Sequence, residues 1–227
     1  MRADMSIQSD LTIGGGLEMA QKSDIKELNI VIAGVGGQGN ILASEIFAAA
    51  AVKAGYKVRV GETFGAAQRG GPVASYVRIG GDVYGPIVDP GSVSLIVGFE
   101  PMEALRNAFR FLAPGGIVIM NTRPMIPLSV SMGKDRYPTI EEIKDSIMKL
   151  GAKRVIAFDA TKKAEELGYV ITMNIVMLGA LAGSGILPFS PDVVRDIVKE
   201  RFSGSIQELN LKAFEVGFDA ARAGLTA

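Results

Sequence analysis

The chain has 227 residues, 48% of them hydrophobic and 21% charged, with Lys+Arg and Asp+Glu both at 24. That length suits one compact domain with a full core, and zero net charge argues against a broad nucleic-acid footprint, which needs a basic excess on one face. The chain contains neither cysteine nor histidine, which excludes disulfides, iron–sulfur ligation and thiolate zinc sites on it.

The first 27 residues carry Gly14-Gly15-Gly16 among scattered polar residues. They lack the apolar core of a signal peptide and read as a disordered extension. Leu28–Ala33 is an apolar, β-branched run, expected as a buried first strand. Ile41, Leu42, Ile46, Ala49 and Val52 then recur at helical spacing, predicting a helix from about Gly39 to Ala54 that Gly55 ends. Lys57–Glu62 alternates as a second strand, so the chain opens as a βαβ unit of a parallel sheet. Val73–Ile79 and Val83–Val88 flank Gly80-Gly81-Asp82, the pattern of an antiparallel hairpin.

Val93–Phe99 returns as a buried strand, Pro101–Leu112 as a helix, and Pro114-Gly115-Gly116 turns into a strand over Ile117–Asn121. Thr139 with Glu142 three residues on forms a capping box ahead of a helix. Val155–Phe158 is a further strand, and Asp159 caps a short helix. Three helices close the chain: one opens near Thr172-Met173-Asn174, one at Ser190-Pro191 and one at a second capping box, Ser205 with Glu208. Leu167 to Pro191 carries no charge, and Gly179 and Gly183 stand at membrane helix-packing spacing. Asn174, Ser184, Gly185 and Pro188 interrupt it, so a helix buried in the core or at a subunit interface is expected, not a membrane span. The fold class is α/β and Rossmann-like: one mostly parallel sheet over about 28–225, with an antiparallel hairpin excursion and a helical C-terminal region.

Two glycine-rich turns carry the functional signal. Gly34-Val35-Gly36-Gly37-Gln38-Gly39 follows the first strand and opens the first helix, the context of a dinucleotide-binding turn. Glu62, at the end of the second strand, could meet a ribose hydroxyl. The same glycines could equally serve a tight turn and close helix–sheet packing, and the Gln38 amide could fill the phosphate position. In Gln68-Arg69-Gly70-Gly71 a guanidinium stands among small residues, suited to a carboxylate, a phosphate or a partner's carbonyls, or to an internal pair with Glu62. The candidate cofactor-binding residues are therefore Gly34, Gly36, Gly37, Gln38, Gly39, Gln68, Arg69, Gly70 and Gly71. No residue is a catalytic candidate and none a metal ligand. Asn121-Thr122-Arg123-Pro124 falls at a strand's carboxyl end, where ligands collect in open α/β sheets.

These two turns resemble the gamma-type domain of the 2-oxoacid:ferredoxin oxidoreductases, most closely the indolepyruvate group. Gly98–Leu105, Asn121–Pro124, Asn174–Ala180 and Glu208–Glu215 match as well. The resemblance spans about Leu28 to Gly217 and implies a Rossmann-like subunit of a cytoplasmic enzyme complex. Such a complex decarboxylates an arylpyruvate-class 2-oxoacid on thiamine diphosphate with Mg. It passes electrons through iron–sulfur clusters to ferredoxin and transfers the acyl group to coenzyme A. The implied partner is a large alpha subunit that carries the thiamine and the clusters, with none of these cofactors bound by the present chain alone, and with no nucleic acid or membrane involved. The alternative is a stand-alone dinucleotide-binding Rossmann module. The uncharged stretch Ile175–Leu187 is expected in the subunit interface or directly beneath it.

Overall fold

The computed structural model describes residues 25–65 and 70–226. Its centre is a six-stranded sheet in the order β2-β3-β1-β4-β5-β6, with strands β1 (Leu28–Val35), β2 (Val58–Phe64), β3 (Pro72–Ile79), β4 (Val93–Gly98), β5 (Leu112–Asn121) and β6 (Arg154–Phe158). Only β3 runs against its neighbours; β1, β4, β5 and β6 are parallel.

The antiparallel excursion is present with a different partner from the one expected. Val73–Ile79 pairs with β2 on one side and β1 on the other, with Glu62 opposite Ser75 and Gly34 opposite Val73. Residues 83–88 form no strand. Pro86 interrupts that run and lacks a ladder donor, and it packs against Gly61, where a Cβ would come within 2.7 Å of it. Arg78 holds the segment across the sheet by donating to the carbonyls of Gly85 and Ile87, and it also pairs with Glu27 at 2.6 Å. Because β3 lies between β1 and β2, the opening βαβ unit does not place its two strands side by side.

Helix α1 (Asn40–Lys53) follows β1, and α2 (Pro101–Phe111) links β4 to β5. The Pro-Gly-Gly turn falls inside the span of β5. Val93 pairs with Leu112 but Leu95 with Ile117, so Ala113–Gly116 bulges out of the ladder, with Gly115 at φ +79°. A short α3 (Leu128–Ser131) precedes α4 (Ile140–Lys149), whose start is the predicted capping box of Thr139 and Glu142. Asp159 caps α5 (Ala160–Glu166) by accepting from the Lys162 N–H, and Ser190 caps α7 (Pro191–Arg201). Two caps differ. Thr172 makes no capping bond to α6 (Met173–Ala182); its hydroxyl donates to the Tyr169 carbonyl. Helix α8 (Gly204–Thr226) begins one residue before Ser205, which therefore lies inside it.

The two faces of β1 divide the core. Ile30 and Ile32 pack with α1, α6 and α8, whereas Val31 and Ala33 pack with α2 and α4. All ten residues of α6 are buried, and α8 from the same chain covers them. Two glycines permit this: a Cβ on Gly179 would stand 2.0 Å from the Phe214 carbonyl oxygen, and one on Gly217 1.7 Å from that of Val176. The uncharged helix thus belongs to the chain's own core, and no described helix is long and apolar enough to cross a membrane.

This packing and the α4 cap each yield an expected outcome. Gly217→Ala forces backbone apart and is expected to lower the unfolding free energy by about 2–3 kcal/mol in denaturant titration, whereas Gly85→Ala, with nothing near its Cβ position, leaves it nearly unchanged. Glu142, bonded to Arg136 and to the Thr139 N–H, is held down at about 2 from its ordinary 4.5. Its contribution is therefore complete above pH 4.5 and lost as pH falls towards 2. Carbon NMR of the Glu142 carboxyl should show that low midpoint, and Arg136→Ala should raise it.

Candidate functional site

The turn between β1 and α1 is shaped by three glycines with separate tasks. A Cβ on Gly34 would meet Gln38 Oε1 at 2.6 Å and Asn40 Nδ2 at 2.7 Å. Gly37 has open space but takes φ +106°, a left-handed conformation that favours glycine. Gly39, at φ +83°, is the N-cap of α1 and lies against Asn174, whose Nδ2 would stand 2.5 Å from a Cβ there. The Gln38 amide is turned inward. Its Oε1 accepts from the Val35 N–H at 2.7 Å and its Nε2 donates to the Phe99 carbonyl at 3.3 Å. The amide braces the turn against the end of β4.

The two glycine-rich turns meet. Gly36 N–H donates to the Gly71 carbonyl at 2.8 Å, and Gly70 N–H donates to the Gly36 carbonyl at 3.2 Å. Gln68 and Arg69 lie outside the described residues. Beside this junction is a cleft of about 400 Å³ lined by Gly36, Gly37, Gly39, Asn40, Ile41 and Phe64, with Val73. The amino end of α1 opens there with no side-chain cap and no acidic residue in its first turn, a setting that favours a negative charge. Asn40 Nδ2 is buried and makes no hydrogen bond among the described residues. Glu62 lines a neighbouring cleft with Gly61, Thr63 and Tyr76. With β3 between β1 and β2, it is two strand spacings, about 10 Å, from the first strand.

Asn121 is fully buried and acts as a hub. Its Nδ2 donates to the Phe99 carbonyl at 3.1 Å and to Thr161 Oγ1 at 2.9 Å, and its Oδ1 accepts from the Ala160 N–H at 3.0 Å. Arg123 is occupied by Asp159 at 3.0 Å and Glu165 at 3.4 Å. The Asn-Thr-Arg-Pro segment therefore ties β5 to α5, and its guanidinium is already paired.

Sequence reasoning assigned no role to Glu100, which is 2% exposed. It caps α2 by accepting from the Glu103 N–H at 2.9 Å, and also accepts from the Met125 N–H at 3.3 Å and from the Tyr137 hydroxyl. Burial, reinforced by the bond to Glu100, pushes the Tyr137 phenol up. The signal was available: an acid directly before Pro101 at the first helical position is an N-cap pattern. Among the described residues no cluster of acidic side chains could hold a metal ion.

The fold is thus an α/β sheet with a glycine-rich turn at the carboxyl end of its first strand. Residues 29–220 match the family model for pyruvate ferredoxin/flavodoxin oxidoreductase, and the chain belongs to that family. It is 46% identical over 198 residues to the indolepyruvate oxidoreductase subunit IorB of Pyrococcus horikoshii, covering 87% of this chain and 98% of that protein. The gamma subunit of a keto/oxoacid ferredoxin oxidoreductase from Geobacter sulfurreducens has a similar structure, with a TM-score of 0.63 at 27% identity over 86% of this chain and 99% of that one. A ketoisovalerate oxidoreductase subunit, VorA of Methanothermobacter marburgensis, is 29% identical over 205 residues, which are 89% of this chain but 38% of that protein. The resemblance to the indolepyruvate group is thus borne out.

Gln38→Ala removes both braces of the turn. It is expected to cost about 1–2 kcal/mol and to speed amide hydrogen exchange over residues 35–40 while β5 keeps its protection.

Proposed function

We propose that this chain is the non-redox small subunit of a thiamine diphosphate-dependent oxidoreductase that converts an arylpyruvate-class 2-oxoacid, indolepyruvate above all, to its acyl-CoA and passes electrons to ferredoxin. The observation that carries the reading is the 46% identity to an indolepyruvate oxidoreductase subunit over nearly its whole length. The residues support a division of labour. Without a cysteine in the sequence, an iron–sulfur cluster does not fit this chain, and the described acidic side chains do not gather for magnesium. In this reading thiamine diphosphate, Mg and the clusters are carried by a large alpha subunit, which also delivers electrons to ferredoxin. The proposed domain runs over residues 28–225 and works in the cytoplasm.

Within the complex, the chain's contribution is the cradle of Gly34, Gly36, Gly37, Gln38 and Gly39 with Gln68, Arg69, Gly70 and Gly71. The open amino end of α1 suits an anionic group of a cofactor or substrate, such as the diphosphate of coenzyme A, and Arg69 would supply its counter-charge. The glycines let backbone amides approach closely; the braced Gln38 keeps the turn in shape. The competing reading, a stand-alone dinucleotide module, is weakened by the position of Glu62, which lines another cleft.

The test is co-expression of the large subunit with and without this chain. With it, 2-oxoacid- and coenzyme A-dependent reduction of a viologen dye is expected; without it, little or none. Equal activity in both preparations overturns the reading. The isolated chain should contain no iron or thiamine, and calorimetry should give no micromolar affinity for NAD(H) or NADP(H). Arg69→Ala should leave the thermal midpoint unchanged and lower turnover or assembly by about tenfold or more, the range for loss of a charge-assisted interface contact.

A further inference from the structure

The carboxyl edge of the sheet carries two groups of exposed apolar side chains. Between β5 and α4, Met125, Ile126, Leu128 and Met132 all face solvent, with Leu128 74% exposed. No residue of α3, which carries Leu128, is buried. On the turn into α6, Val170 and Ile171 are exposed as well, Ile171 at 82%. Singly such residues need no explanation, but grouped on one edge they mark a contact surface.

The two groups border one stretch of that edge. Arg123, at the exit of β5, reaches Glu165 at the end of α5, and the Tyr169 N–H donates to the Ala164 carbonyl beside it. Three residues past Ile171, Asn174 lies against Gly39 of the cradle. Contacts thus connect the entry of the Met125–Met132 segment, through Arg123 and Glu165, to the turn that carries Val170 and Ile171, and Asn174 connects that turn to the glycine cradle.

The segment is held in shape. Arg123 anchors its entry, and the buried Glu100 carboxylate takes the Met125 N–H and, at the exit, the Tyr137 hydroxyl. The Thr139–Glu142 capping box and the Arg136–Glu142 pair at 2.8 Å fix the start of α4 behind it. Keeping a carboxylate at 2% exposure is costly unless its hydrogen bonds are needed. Here they position a loop whose apolar side chains find no core beneath them.

We propose that Met125, Ile126, Leu128, Met132, Val170 and Ile171 form the docking surface for an apolar face of the longer catalytic chain of the complex, which when seated also closes the cleft at the glycine cradle. The proposal rests on the subunit reading above. Two observations select that occupant. In the ketoisovalerate relative the matched stretch makes up only 38% of the protein, so this kind of domain occurs joined to a much larger body. The surface also adjoins the cradle, where the proposed function needs a second chain to complete the site. Charges near the loop are mixed, with Asp135 between Lys134 and Arg136, which does not suit an anionic lipid surface.

The test is co-expression with an affinity-tagged large subunit, comparing wild type with Leu128→Asp, Ile171→Asp and a control. The control is Met148→Asp, on an exposed residue at the end of α4 that lines a groove with Lys153 and Arg154 at the start of β6. Wild type and the control should co-purify in equal amounts. Each of the two edge variants should fall at least about tenfold in captured chain, in line with loss of a buried apolar anchor, while their thermal midpoints stay with wild type. Edge variants that assemble like wild type overturn the surface and leave the subunit reading intact. A wild-type chain that never co-purifies overturns the subunit reading and this occupant with it. An isolated wild-type chain that is a dimer by light scattering, turned monomeric by Leu128→Asp, assigns the surface to a second copy and overturns the proposal.

Discussion

One backbone carbonyl, that of Phe99, ties the functional half of the molecule together. It accepts from Gln38 at 3.3 Å and from Asn121 at 3.1 Å, while the Phe99 N–H donates to the Ala33 carbonyl at 2.7 Å. The end of β4 is thus pinned to β1, to the glycine turn and to β5 at a single point. Asn121 extends the connection to α5 through Ala160 and Thr161. Next to it, Glu100 opens α2 and holds the Met125 loop. The carboxyl edge is consequently a network in which the Gln38 and Asn121 amides and the buried Glu100 carboxylate all have partners, while the buried Asn40 Nδ2 at the cradle makes no hydrogen bond among the described residues. Such a network keeps a cradle and a contact surface in fixed relation.

A second constraint lies on the α1 face of the sheet. Helix α6 is apolar all round, and such a helix must be buried. Gly179 and Gly217 let the backbones of α6 and α8 touch, so burial is completed within the chain. That closes the C-terminal region into a scaffold behind the cradle, with Asn174 at its front against Gly39. Apolar side chains left to solvent include Leu128 and Ile171 at the carboxyl edge, along with Tyr84, Ile87 and Phe109 elsewhere on the molecule.

Much of this arrangement was legible in the sequence. The strand runs Leu28–Ala33 and Val93–Phe99, the caps at Thr139, Asp159 and Ser190, and the two glycine turns all announce themselves through local rules of burial, capping and glycine conformation. The partner of β3 did not. Turn chemistry favoured the nearest alternating run, residues 83–88, but Pro86 and the reach of Arg78 decided otherwise, and both act through contacts distant in sequence. The apolar stretch 175–187 announced burial but not by what, since a helix buried by its own chain and one buried by a partner have the same composition. At the site, the meeting of Gly36 with Gly70 and Gly71 rests on strand order that no local pattern encodes. The Glu100 cap was visible before Pro101, but its second and third partners, Met125 and Tyr137, come from a loop without periodicity.

In the account proposed above, the carboxyl edge is a single functional surface, with an anion cradle at one end and an apolar contact region at the other. Amide hydrogen exchange on the isolated chain and on the assembled complex tests this most directly. Residues 36–42, 125–132 and 169–171 should gain protection together on assembly, while 148–153 at the opposite edge of the sheet stay as they are. Protection confined to that opposite edge, with the cradle and the two apolar segments unchanged, would contradict it.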